Sequence, residues 1–135
     1  MIRVVADTNV YVSALVFGGA TEEVLLLAQA GAFSLYISPA IQEELRRVLA
    51  GKFGWEETRV RAALGAIAGF TIPAIPHTPV NVIAEDAADN RILECALEAG
   101  AEVIVSGDQH LLRLKKFRGM VILNPRQFLA TIAEQ

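Results

Sequence analysis

The chain has 135 residues, 53% of them hydrophobic and 20% charged, with a mean hydropathy of +0.42. That composition excludes a disordered chain, and the length reads as one compact domain, residues 1–135, able to bury about two-thirds of its extended surface. Twelve basic against fifteen acidic residues leave a net charge of −3. Such a balance excludes a general polyanion-coating protein, so any contact with nucleic acid has to come from a local basic patch.

The single cysteine, Cys95, has no partner for an internal disulfide and cannot supply the paired thiolates of a structural zinc site, which fits a reducing cytoplasm. Asp7 interrupts the apolar start after a few residues and reads against a secretory signal. The uncharged stretch from Ala62 to Ala84 is broken by Pro73, Pro76 and Pro79, far short of a spanning helix, so no membrane segment is expected.

In chain order, Ile2–Ala6 is short, largely β-branched and stopped by Asp7-Thr8-Asn9, the pattern of a buried parallel strand ending in a polar turn. Val10–Phe17 and Thr21–Ala30 read as helices split by Gly18-Gly19, with Thr21 as N-cap and Gly31 as terminator. Phe33–Ile37 is a second strand. Ser38-Pro39 opens a helix to about Ala50, and Glu56–Ala68 forms another. Phe70–Ile75 is a proline-marked edge strand. Beyond the proline-rich connector, a helix from Asp86 to Ala99 leads through Gly100 to the strand Glu102–Ser106. A short helix over Gln109–Leu114, a last strand over Met120–Leu123 and a helix after Pro125 complete the chain. Strands alternating with helices imply an α/β fold, a parallel sheet covered on both faces.

In such a sheet the carboxyl ends of the strands border the ligand crevice. Asp7 and Asp108 both follow strands directly, although Asp7 also suits a turn brace and Asp108 a helix N-cap. On the helix from Pro39 the apolar stripe runs Ile41, Leu45, Val48, Leu49, and Glu44 lies on it; a place at the stripe's edge is the alternative. Glu43 instead faces Arg46 and Arg47 at surface ion-pair spacing. Asp89 begins the stripe Ile92, Leu93, Ala96, Leu97, with Asp86 one turn earlier. Helix-dipole stabilisation is the competing role for Asp89, and N-capping for Asp86.

Gathered in one crevice, these carboxylates repel strongly: two charges about 5 Å apart cost roughly 3 kcal/mol at an effective dielectric of about 20. No lysine or arginine sits at the strand ends to offset this. A divalent cation does so economically, and oxygen-only donors suit magnesium or manganese rather than zinc. Such a centre fits metal-assisted attack of water on a phosphodiester. The segment from Gln109 to Ile132 carries Arg113, Lys115, Lys116, Arg118 and Arg126 and no acidic residue. It suits flanking phosphates, or equally a solvated surface run.

Three segments, VVADTNVYVSAL, SPAIQEELRRVL and EDAADNRILECALEAGAEVIVSGDQHLLRL, together resemble the PIN-domain ribonucleases, particularly the VapC-type toxins of toxin–antitoxin pairs, over nearly the whole chain. The resemblance implies a three-layer sandwich around a five-stranded parallel sheet of order 3-2-1-4-5. It implies Asp7, Glu44, Asp89 and Asp108 as catalytic metal ligands, Asp86 as an additional acidic ligand, and Asn9 and Ser106 as supporting polar residues. Ser106 stands where the family commonly has threonine, and Asp86-Ala87-Ala88-Asp89 lacks the usual proline. The implied activity is a magnesium- or manganese-dependent endoribonuclease in the cytoplasm, forming a homodimer and held by an antitoxin.

A receiver domain fails for want of an aspartate between Asp7 and Asp86 and of a lysine after the last strand. An Asp-x-Asp phosphatase fails because position 9 is asparagine. The remaining rival is a catalytically silent PIN-like scaffold that binds metal or a protein partner. Trp55 and the phenylalanines are expected in the core or at a dimer surface, Cys95 in the core, and His77 and His110 outside the catalytic set.

Overall fold

The computed structural model describes residues 1–83 and 87–134. Strand β1, Arg3–Ala6, lies at the centre. Val4, Val5 and Ala6 point alternately to the two faces of the sheet, yet all three are fully buried. Helices therefore cover both faces, the layering expected of a parallel α/β sheet.

β1 leads into α1 (Thr8–Val16) and α2 (Ala20–Gln29), then β2 (Ser34–Ile37). The paired helices α3 (Pro39–Gly51) and α4 (Glu57–Ala68) follow, and then the two-residue edge strand β3, Ile72–Pro73. Helix α5, Ala87–Ala99, packs on β1 and β2 and precedes β4, Val103–Val105. The chain ends with α6 (Gln109–Leu114), β5 (Lys116–Phe117), β6 (Met120–Leu123) and α7 (Pro125–Ala133).

The sheet order is β3-β2-β1-β4-β6-β5. Its five parallel strands keep the expected sequence of neighbours, but the sheet has six strands rather than five. The addition is β5, antiparallel to β6 with Lys116 opposite Val121 and Phe117 opposite Met120. Arg118 and Gly119 turn the chain with φ of 47° and 85°, the left-handed pair of a tight hairpin. An Arg-Gly turn lacks the Asn-Gly or Asp-Gly signature, so this hairpin is hard to read from sequence. Buried Phe117 is what holds it to the core.

The start of α2 also differs from expectation. Gly19 rather than Thr21 occupies the N-cap. The Thr21 hydroxyl instead donates to the Gly18 carbonyl at 2.9 Å and contacts Ser13 Oγ at 3.1 Å, bracing the turn between the helices. The expected helix start at Asp86 lies outside the described residues. Among those residues no single helix is long and apolar enough to cross a membrane; α1 and α2 pass that test only as a pair, and are bent by 102°.

Registry sets where the chemistry gathers. Ala6 pairs with Val105 and Val105 with Leu123, so these strands end level with one another. The ladder continues one step further, with Asp7 N–H donating to Val105 O at 3.0 Å and Ser106 N–H to Leu123 O at 2.9 Å.

Candidate metal centre

The residues after strands β1, β2 and β6 are Asp7, Ser38 and Asn124, and each caps the helix that follows with its side chain. Asp7 is buried. Its Oδ1 accepts from the Val10 amide at 3.0 Å and its Oδ2 from the Ser106 hydroxyl. Ser106 Oγ in turn accepts from the Asp108 amide at 2.9 Å, so one buried hydroxyl ties the end of β1 to the loop after β4. Asp108 caps α6, accepting from the His110 amide at 2.7 Å. The structural roles open to Asp7 and Asp108 are thus both realised, and they aim the carboxylates rather than occupy them, since each oxygen retains a further lone pair.

These carboxylates meet two more. Glu44, half-buried on α3, and Asp89, buried in the first turn of α5, line the same notch as Asp7 and Asp108. Thr8, Asn9, Ala88 and Ile92 complete the lining, and the volume is about 30 Å³. That holds an ion or a water but not a base or a sugar. A larger cleft of about 320 Å³ between α3 and α4 has one carboxylate, Glu57, in its lining, beside Arg46 and Arg61. Glu43, by contrast, is exposed and paired with Arg46.

Burial pushes the Asp7 carboxyl from an ordinary 3.8 up to about 6, opposed by the Ser106 hydroxyl and the Val10 and Asn9 amides and reinforced by the charge of Asp108. On α5, burial drives the Cys95 thiol up to about 12 against its hydrogen bond with Ser38. That makes Cys95 a packing residue rather than a nucleophile.

The donor set fits a hard divalent cation. Asp7 at the end of β1, Glu44 on α3, Asp89 on α5 and Asp108 in the loop after β4 all line the notch. The carboxylates of Asp89 and Asp108 are close enough to share an ion, and the hydroxyl of Thr8 is shielded from solvent without a hydrogen-bond partner among the described residues. Asp86 lies outside the described residues. Exposed Asn9 lines the notch, and Ser106 sits beneath it.

The basic residues divide. Arg113 lines a cleft of about 200 Å³ shared with His110, beside the notch. Lys115 and Lys116 are exposed along the edge hairpin. Arg118 departs from expectation, because its turn lies at the amino end of β6, the end of the sheet away from the notch. There its guanidinium lies 5.2 Å from the Phe117 ring centre and shares a cleft with Thr78, Glu94, Leu97 and Glu98.

Sequence reasoning set His110 aside, yet one donor atom from each of Asp89, Asp108 and His110 lies within 4.8 Å of the others. The signal was adjacency: a side chain two residues past Asp108, on a helix that Asp108 caps, turns back toward its cap. Asn90 was also missed. Its Oδ1 accepts from the Val82 and Ile83 amides at 3.0 and 2.8 Å and its Nδ2 donates to the Ile83 carbonyl at 2.6 Å, strapping the proline-rich connector to α5.

Known proteins share this architecture, and they define its class. The PIN domain family matches residues 3–110, and the chain belongs to that family. Among its relatives, the uncharacterized protein MJ1680 of Methanocaldococcus jannaschii is 33% identical over 119 residues, 84% of this chain and 76% of that protein. A chain in the crystal structure of VapBC2 from Rickettsia felis bound to a DNA fragment from their promoter shares the fold. It aligns with a TM-score of 0.64 at 14% identity, covering 91% of this chain and 98% of that one.

Proposed function

We propose that the protein is a magnesium- or manganese-dependent endoribonuclease of a single PIN domain, with Asp7, Glu44, Asp89 and Asp108 holding the metal. The observation that carries this reading is the meeting of four carboxylates, distant in sequence, around one notch of ionic size. A bound divalent ion would supply Lewis-acid stabilisation of phosphate charge and a water of lowered pKa. The chain's own part is positional. Asp7 and Asp108 are fixed by helix capping and by their shared contact with Ser106, so the notch is organised before substrate arrives. Asn9, at the rim, would hydrogen-bond water or phosphate.

RNA would enter across the carboxyl ends of the strands, with Arg113 beside the notch contacting a flanking phosphate and Lys115 and Lys116 contributing at longer range. A cytoplasmic toxin held by an antitoxin, and working as a homodimer, is the biological form of this reading. Exposed Phe17 and Leu26 offer apolar surface for such contacts.

The test is RNA cleavage with magnesium or manganese by the wild type and by Asp7→Asn. The expected result is a cut leaving a 5′-phosphate and a loss of at least about 100-fold in the variant, in line with the removal of a charge-stabilising group. Undiminished cutting by Asp7→Asn would refute the assignment. Manganese binding without cleavage of any RNA would favour the silent scaffold.

A further inference from the structure

The ring of His110 is placed as a ligand would be. Its Nδ1 lies 3.7 Å from Asp89 Oδ2 and 3.7 Å from Asp108 Oδ1. Both distances exceed a hydrogen bond, yet donors sharing one ion at about 2.1 Å from it stand about 3–4 Å apart. The same nitrogen is shielded from solvent and has no hydrogen-bond partner among the described residues, although the side chain as a whole is 36% exposed. A histidine that only packed would gain by turning Nδ1 to water or to a backbone acceptor. Here the backbone amide of His110 is already spent on Asp108 Oδ1 at 2.7 Å, which fixes the first turn of α6 and holds the ring over the two carboxylates. Val82, Ile83 and Leu114 wall the cleft that the ring also lines.

We propose that His110 Nδ1 is a direct ligand of the cation in the acidic notch, which makes the donor set mixed nitrogen and oxygen and tilts it toward a transition-metal ion over magnesium. This rests on the reading that the notch holds a divalent cation, and it replaces the expectation of oxygen donors alone. Magnesium favours oxygen and gives up its waters reluctantly, whereas imidazole is a good donor to transition ions. In the nuclease His110 would set which metal is loaded.

Manganese serves as the probe, with the full-length protein. Titration calorimetry gives the affinity for Mn2+ and Mg2+, and pulsed electron paramagnetic resonance of the Mn2+-loaded protein reads nitrogen coupling from a coordinated ring. The wild type should show stoichiometric Mn2+ binding with imidazole nitrogen modulation. His110→Ala and His110→Gln should both lose that modulation, with Mn2+ affinity falling about 10- to 100-fold and Mg2+ affinity by less than about 3-fold. The Gln variant guards against a packing defect, and circular dichroism of both variants establishes that they are folded. Tight Mn2+ binding without nitrogen modulation in the wild type would overturn the His110 assignment and leave the acidic notch standing. Stronger binding of both metals after His110 is removed would overturn it too, identifying the ring as a competing cation. Failure of the wild type to bind either metal would overturn the notch reading together with this one.

Discussion

Asp7 is held in tension. Its position after β1 and its contacts with Val10 and Ser106 fix it in the sheet, while burial opposes its charge and raises its carboxyl to about 6. A folded value above the ordinary 3.8 means that the fold favours the protonated form. The stability this group contributes is then full below about pH 4 and is lost as pH rises through about 6. In the presence of chelator, Asp7→Asn should therefore stabilise the protein at pH 7 by up to about 3 kcal/mol and flatten the gain in stability that the wild type shows between pH 7 and pH 5. Urea denaturation at the two pH values measures both effects, and a variant less stable than wild type at pH 7 would count against the buried charge. Activity and stability are thus expected to move in opposite directions at this residue.

Among the elements, α3 was legible because its chemistry is written in its periodicity. Ile41, Leu45 and Leu49 are buried, Glu44 sits half-buried at the notch, and Glu43 pairs with Arg46 at the surface. Asp89 was legible for the same reason, an acid on an apolar stripe. The strap made by Asn90 was not, since a side chain that satisfies backbone groups seven and eight residues away leaves no periodic trace. Glu94 works alike, accepting from the Val80 amide at 2.8 Å and pairing with Arg91. The β5 hairpin escaped notice because two residues are too short for an alternating pattern and its turn lacks the usual dipeptide. Asn90→Ala should cost about 2–3 kcal/mol, because it leaves the Val82 and Ile83 amides and the Ile83 carbonyl without their acceptor and donor. Denaturation measures that cost, and faster hydrogen exchange at the Val82 and Ile83 amides would locate it; unchanged exchange there would exclude the strap.

At the scale of the molecule, a net charge of −3 with an acidic notch opposes a polyanion, and a divalent cation in the notch would reverse the local sign. The basic residues matter by position rather than number. Arg113 lies next to the notch and Arg118 at the far end of the sheet, though the sequence runs them together in one basic stretch. Only the parallel registry, which separates the two ends of the strands, tells them apart. Arg113→Glu should weaken RNA binding and lower the salt dependence by about one counterion, while Arg118→Glu should leave both close to wild type. Fluorescence anisotropy with a short RNA across a salt series compares them, and equal effects of the two variants would contradict the proposed path.

The most direct trial is anomalous diffraction from crystals of the full chain soaked in manganese. The strongest manganese peak should fall inside the notch, in coordination range of Asp7, Glu44, Asp89 and Asp108. A fully loaded crystal with its manganese elsewhere and only water between those carboxylates would contradict the account.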